Sequence, residues 1–131
     1  MSKNTKKLIT MCALFALILS LAVPTAFANS KESKASVDYG STQMAYGGDR
    51  TLYGYELKGK VQSQTANTDT IVGYMYTKGV LWTHKRDEAT TKNGNHATMS
   101  WANSSGDTGT YWAQCRAKSG KQEGYCLVYQ E

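Results

Sequence analysis

The chain has 131 residues and a formal net charge of +5. That length suits one domain and is too short for two comfortable ones. Three of its bases, Lys3, Lys6 and Lys7, crowd the N-terminus; without them twelve basic residues face ten acidic ones, a net of about +2. With no basic stripe or recognition motif, that balance gives no case for nucleic-acid binding.

Residues 1–28 read as a secretory signal. The three lysines form a positive n-region, and Leu8 to Val23 is almost wholly apolar. Pro24 breaks the run, and Ala26-Phe27-Ala28 puts small residues at the two positions a signal peptidase reads. Cleavage after Ala28 and export are expected. The apolar run is somewhat long, so an uncleaved N-terminal anchor is the alternative. Cys12 lies too early to be a lipidated cysteine. The leader also takes both Phe residues and the single Pro, so every mature aromatic is Tyr or Trp. Such rings pair an apolar body with a polar tip and suit half-buried faces and wet binding surfaces alike.

Residues 29–50 are rich in Ser, Gly, Lys and other small polar residues. Few aliphatics are available to bury, so a flexible N-terminal arm is expected, with room for a short edge strand near Tyr39 to Tyr46. Residues 51–131 read as a single antiparallel β domain. From Leu52 the alternation is clear: Tyr53, Tyr55, Leu57, Gly59 and Val61 share one face, and Glu56, Lys58, Lys60 and Gln62 the other. Gln64 to Asp69 is a polar turn. Thr70 to Thr77 is apolar on both faces and should be a central strand. Lys78-Gly79 would turn it into a strand Val80 to His84, with Met75 facing Trp82 and Tyr76 facing Leu81. The polar Arg86 to Asn95 holds Asn93-Gly94, a strong turn dipeptide. His96 to Trp101 is the next strand, with Ala97, Met99 and Trp101 on one side, and Ala102 to Gly109 is a loop.

The last stretch, Thr108 to Gln130, reads as a hairpin. A type II′ turn at Gly120-Lys121 makes opposed residue numbers sum to 241, which sets Cys115 against Cys126. An even cysteine pair in an exported domain favours a disulfide, contributing about 2.5–3 kcal/mol by the chain-entropy model. In this register Tyr111, Ala113, Cys115, Ala117, Gly124, Cys126 and Val128 face the core. The opposite face joins Trp112 to Tyr129 and Arg116 to Tyr125, which makes Trp112, Arg116, Tyr125 and Tyr129 the candidate binding surface. The alternative is ordinary cross-strand packing. Six strand-like runs, frequent Gly and no helical period after the leader predict an all-β fold, an antiparallel sandwich or small barrel of about six strands with one disulfide.

Chemistry is sparse. His84 and His96 are the only histidines, with Asp87 and Glu88 between them, and no HExxH or Cys/His cluster supplies the converging ligands a metal needs. No metal site and no cofactor are expected. No G-x-S-x-G elbow or other catalytic motif is present, so the chain reads as non-enzymatic. Three roles remain: a bacteriocin-like factor acting on other cells, an extracellular or cell-wall binding module, and an enzyme inhibitor presenting Lys118-Ser119-Gly120-Lys121 as its tip. Partners would be the cell wall, a glycan or another protein, with no stable membrane anchor after cleavage. No wall-sorting motif follows Cys126, so release to the medium is expected, with electrostatic retention on the wall as an option.

The cleaved leader, the small Tyr/Trp/Gly-rich mature part and the expected sandwich resemble the lactococcin 972-type secreted bacteriocins. They are equally similar to uncharacterised small secreted β-proteins of Gram-positive bacteria. The first resemblance implies action on cell-wall synthesis in related bacteria. The Cys115 and Cys126 pair and the polar arm depart from that family, and the resemblance carries over no residue.

Overall fold

The computed structural model describes residues 31–130; the signal reading of residues 1–28 lies outside the described residues. These residues form nine strands, β1 (Glu32–Val37), β2 (Ala45–Tyr46), β3 (Arg50–Tyr53), β4 (Leu57–Ser63), β5 (Ile71–Lys78), β6 (Thr83–Thr91), β7 (His96–Trp101), β8 (Thr108–Ala117) and β9 (Gly124–Gln130). No helix occurs among the described residues. Two antiparallel sheets result. One, sheet A, runs β1-β9-β4-β7; the other, sheet B, runs β2-β8-β5-β6, with β3 also on β8.

Alternation within each strand decides which side is buried. Leu57, Gly59, Val61 and Ser63 of β4 point inward, as do Cys126, Val128 and Gln130 of β9. From sheet B, β8 contributes Tyr111, Ala113, Cys115 and Ala117, and β5 contributes Ile71 and Met75. Cores of this kind are held by apolar burial at roughly 25 cal/mol per Å². β5 lies between β8 and β6 and buries Ile71, Val72 and Gly73 in succession, as its two-sided apolar pattern predicts.

The arm reading of residues 29–50 is corrected for its described part. β1 pairs along its length with β9 and buries Ser33, Ala35 and Val37. Its strand needs only three small inward side chains, too faint a period to stand out in a Ser- and Lys-rich segment. β1 also ties the sheets together. Between the β2 and β3 pairings on β8, the Ala113 amide donates to Ser33 Oγ at 2.9 Å and the Ala113 carbonyl accepts from Gly47 N at 2.8 Å. Tyr111 donates its hydroxyl to the Lys31 carbonyl.

Three further expectations change. The domain has nine described strands, not six. The Leu52 to Val61 alternation is broken at Gly54, whose φ of +83° turns β3 into β4. And β6 begins at Thr83, not Val80. Its register sets Tyr76 opposite Lys85 and Met75 opposite Asp87, leaving Arg86 as the extra residue of a bulge. β6 is an edge strand with a largely exposed face, so polar residues from Arg86 onward continue it without cost.

Candidate functional site

The final hairpin does not form. β8 and β9 sit in opposite sheets, and the segment between them crosses from one sheet to the other. Buried Gln122 pins that crossing: its Nε2 donates to the carbonyl of Asp69 at 2.7 Å and to Asn67 Oδ1 at 2.9 Å, and its Oε1 accepts from Ser63 Oγ at 2.7 Å. Asp69 fixes the other side, accepting from the amides of Ser119 and Lys121 at 3.0 and 2.9 Å. Gly120 is buried with φ +73°, and its carbonyl accepts from Gly40 N at 2.7 Å. The backbone of Lys118 to Lys121 is thus tied to the body at Gly120 and Asp69, with Lys118, Ser119 and Lys121 exposed and not at the tip of a hairpin.

The candidate surface separates accordingly. Trp112 and Arg116 lie on the outer face of sheet B, while Tyr125 and Tyr129 lie on the outer face of sheet A. Arg116 does not cover Tyr125. That ring instead has Lys34 Nζ at 4.7 Å and Lys60 Nζ at 5.8 Å from its centre. Tyr129 pairs with Glu32 and Lys58, not with Trp112. The expected inward set from Tyr111 to Val128 is buried, but its two halves face each other across the core. Cys115 and Cys126 are both fully buried free thiols, so no bond joins them in this structure. Burial pushes each thiol up to about 12, and for Cys126 the neighbouring Cys115 adds to the effect. Neither is a ready nucleophile.

Trp112 has other partners. On β5, Tyr74, Tyr76 and Lys78 point out of sheet B, with Gln114, Trp112 and Thr110 beside them on β8. Tyr76 and Trp112 stack at 5.7 Å between ring centres and 10° between planes. Tyr74 stands 6.3 Å from Tyr76, under Lys85 Nζ at 5.9 Å. The indole N–H of Trp112 donates to Gln114 Oε1 at 2.8 Å, which fixes the ring. Tyr46, opposite Gln114 on β2, is 67% exposed and extends the row. The result is a flat, half-exposed aromatic strip with phenol hydroxyl and ammonium groups at its margins. Tyr74 and Tyr76 escaped the sequence reading because an apolar run shows no face. Their spacing of two residues is the signal that places both rings on one side.

A second feature lies at one end of the sandwich, a groove of about 420 Å³ between the turn following β5 and the loop preceding β8. Leu52, Thr77, Trp82, His84, Arg86 and Asp107 are among its walls. Arg86 is held rigidly there. Its Nε donates to Thr77 Oγ1 at 2.8 Å, its terminal nitrogen meets Asp107 Oδ2 at 3.2 Å, and its guanidinium carbon stands 4.2 Å from the Trp101 ring centre. The bulge is what aims this side chain inward. The Asn103 side chain braces the loop, its Nδ2 donating to the Asp107 carbonyl at 2.8 Å and its Oδ1 accepting from the Asp107 amide at 2.9 Å.

The two histidines do not converge. His84 lies near the start of β6 by the groove, and His96 opens β7 beside the Asn93-Gly94 turn, opposite Gln62. Asp87 accepts from the amides of Glu88 and Ser100, and Glu88 pairs with Lys85 at 3.3 Å. Among the described residues no group of three or more His, Cys, Asp or Glu is placed to hold a metal ion. The arrangement offers stacking surfaces, hydrogen-bond groups and a fixed guanidinium.

No family model matches the chain, and no curated protein matches it. Among solved structures it is similar to PirA at 7% identity and a TM-score of 0.43, covering 79% of this chain and 95% of that one. It is similar to the Yersinia pseudotuberculosis-derived mitogen at 12% identity and a TM-score of 0.43, over 76% of this chain and 74% of that one. A third likeness is to the CBM32 of AlyQ, solved in complex with 4,5-unsaturated mannuronic acid, at 13% identity and a TM-score of 0.38, over 76% and 78% of the two chains.

Proposed function

We propose that this is a secreted, non-enzymatic protein that binds a glycan of the bacterial envelope through the outer face of sheet B. The observation that carries the reading is the Tyr76–Trp112 stack, half-exposed and parallel within 10°. Sugar rings present an apolar C–H face, and a flat aromatic strip takes it by dispersion while hydroxyl and ammonium groups reach the sugar's hydroxyls at its edge. Tyr74 and Lys85 stand where such groups are needed, and buried Gln114 holds the indole in place. A bacteriocin-like role would use the same face and differ only in its outcome for the bound cell. Export also implies an oxidising medium. There the buried thiols of Cys115 and Cys126 would pass two hydrogens to a disulfide-donating oxidant and join the two sheets.

Pelleting with insoluble cell-wall sacculi tests the binding. Residues 29–131, which hold both sheets and the whole described core, should pellet with the sacculi. Trp112→Ala and Tyr76→Ala should each weaken retention by about tenfold, as loss of one stacked ring does. Tyr125→Ala and Tyr129→Ala, on the other sheet, should leave it unchanged. Wild-type protein that stays in the supernatant, or equal retention in all four variants, would remove this reading. Growth inhibition by the same preparations separates the bacteriocin-like outcome from simple attachment.

A further inference from the structure

The turn joining β5 to β6 carries three consecutive apolar residues that border the groove and stay largely exposed. It is closed by Gly79 N donating to the Trp82 carbonyl at 3.1 Å. Val80 is 97% exposed, Leu81 77% and Trp82 70%. Isolated exposed apolar residues are ordinary, but three in a row at the crest of a turn are not. The end of β3 and the turn after it add two rings: Tyr53 and Tyr55 are 64% and 62% exposed. Tyr53 pairs with Thr108, and a side chain at the adjacent Gly109 would meet Gly79 Cα at 3.1 Å, so the Tyr53 strand end and the turn flank the same segment of β8. One end of the sandwich thus gathers Val, Leu, Trp and Tyr.

The charges around this end follow a pattern. Arg86 is matched by Asp107, Lys85 by Glu88 and Glu56 by Lys58. Lys78, exposed at the base of the turn, has no carboxylate partner among the described residues. Five exposed apolar and aromatic side chains, with a surplus cation beside them, are far fewer than the about 20–30 residues a side of a stable protein interface. A fluid acyl layer conforms to a crest of any shape. Tyr and Trp rings settle at headgroup depth, and a Lys stem can lie along the apolar region while its ammonium reaches the phosphates. We infer that the Gly79–Trp82 turn docks this protein, shallowly and reversibly, on a bilayer bearing anionic headgroups. Val80, Leu81 and Trp82 enter the acyl boundary, Tyr53 and Tyr55 lie at the headgroups, and Lys78 faces the phosphates. This is surface docking, not a membrane span, and its apolar residues are distinct from the aromatic strip, with Lys78 where the two surfaces meet.

The test is flotation of residues 29–131 with vesicles of mixed phosphatidylcholine and phosphatidylglycerol, against vesicles of phosphatidylcholine alone. The protein should float with the anionic vesicles. The double variant Leu81→Ser, Trp82→Ser should lower partitioning by about tenfold or more, the consequence of removing two apolar side chains from the acyl boundary. Lys78→Glu should lower binding to anionic vesicles by about fivefold or more while leaving the weaker binding to neutral vesicles unchanged. Brominated acyl chains should quench the fluorescence of wild type and have little effect on Trp82→Phe. The replaced residues touch solvent, so the melting temperature should not move, and the double variant and Trp82→Phe, which leave the face of Tyr74 and Tyr76 untouched, should still pellet with sacculi. No flotation at millimolar lipid, or flotation that the double variant retains in full, would overturn the inference whatever the fate of glycan binding.

Discussion

Cys115 and Cys126 belong to opposite sheets, yet both converge on Gly73. Cys115 is the partner of Gly73 across the β5–β8 ladder, and Cys126 Sγ would stand 2.9 Å from a Cβ placed on that glycine. Any bond between the sulfurs would therefore clamp sheet to sheet, not strand to neighbouring strand. With both thiols fully buried and pushed up to about 12, a haloacetamide at mildly alkaline pH should label neither in the native protein. For protein recovered from an oxidising medium, unfolding alone should still leave both unlabelled. Reductant plus denaturant should label two and raise the intact mass by two hydrogens beforehand. Labelling by denaturant alone would show that the bond had not formed.

Gly73 has a packing role that follows from the same contacts. A methyl group there would approach Val61 Cβ at 2.8 Å as well as the Cys126 sulfur. Neither neighbour is the loose end of a flexible chain. Gly73→Ala should destabilise the fold by about 1–3 kcal/mol, the usual range for overpacking a close-packed core. The melting temperature should fall by about 4–8 °C per kcal/mol in a domain of this size. An unchanged melting temperature would mean that the two sheets can separate locally at no cost.

What could be read from the sequence divides along a physical line. Period-two alternation is a property of one strand, so the inward residues of β4, β7, β8 and β9 were legible, Cys115 and Cys126 among them. Which strands lie side by side is not. Two inward-facing strands joined by a short polar segment can pair in one sheet or cover each other across a core, and their alternation is the same in both cases. The choice was made by Gln122 and Asp69, polar residues whose partners are distant in sequence. That one choice moved Tyr125 and Tyr129 away from Trp112 and brought Tyr74 and Tyr76 to it. The exposed Val80–Trp82 crest was missed for a related reason: on composition it is a good strand, and only the bulge register shows where β6 begins.

Gln122 should be the costliest polar residue to lose. It is fully buried, and a leucine of similar size would supply neither a donor for the Asp69 carbonyl nor an acceptor for Ser63 Oγ. Leaving buried polar groups unsatisfied costs about 1–3 kcal/mol each, more than the leucine's apolar gain offsets at a polar crossing. Urea denaturation should show Gln122→Leu with a lower midpoint and an unchanged slope. A midpoint equal to that of wild type would mean that water replaces the amide without loss.

Asp69 gives the fold a dependence on pH whose sign can be worked out. Partial burial raises its pKa, but hydrogen bonds from Lys121, Ser119 and Thr70 lower it by more, and the folded value lies below the ordinary 3.8. The carboxylate is thus favoured in the folded state. Its contribution is fully present above the unfolded value and is lost as pH falls through the lowered folded one. Wild-type melting temperature should decline as acid is added below about pH 4, the range of an unperturbed carboxylate. Asp69→Asn keeps an acceptor for one amide but has no charge to titrate. It should melt lower than wild type at neutral pH, and the gap between them should narrow as the pH drops. Parallel melting curves across that range would show that the carboxylate's charge does not hold the crossing between β8 and β9.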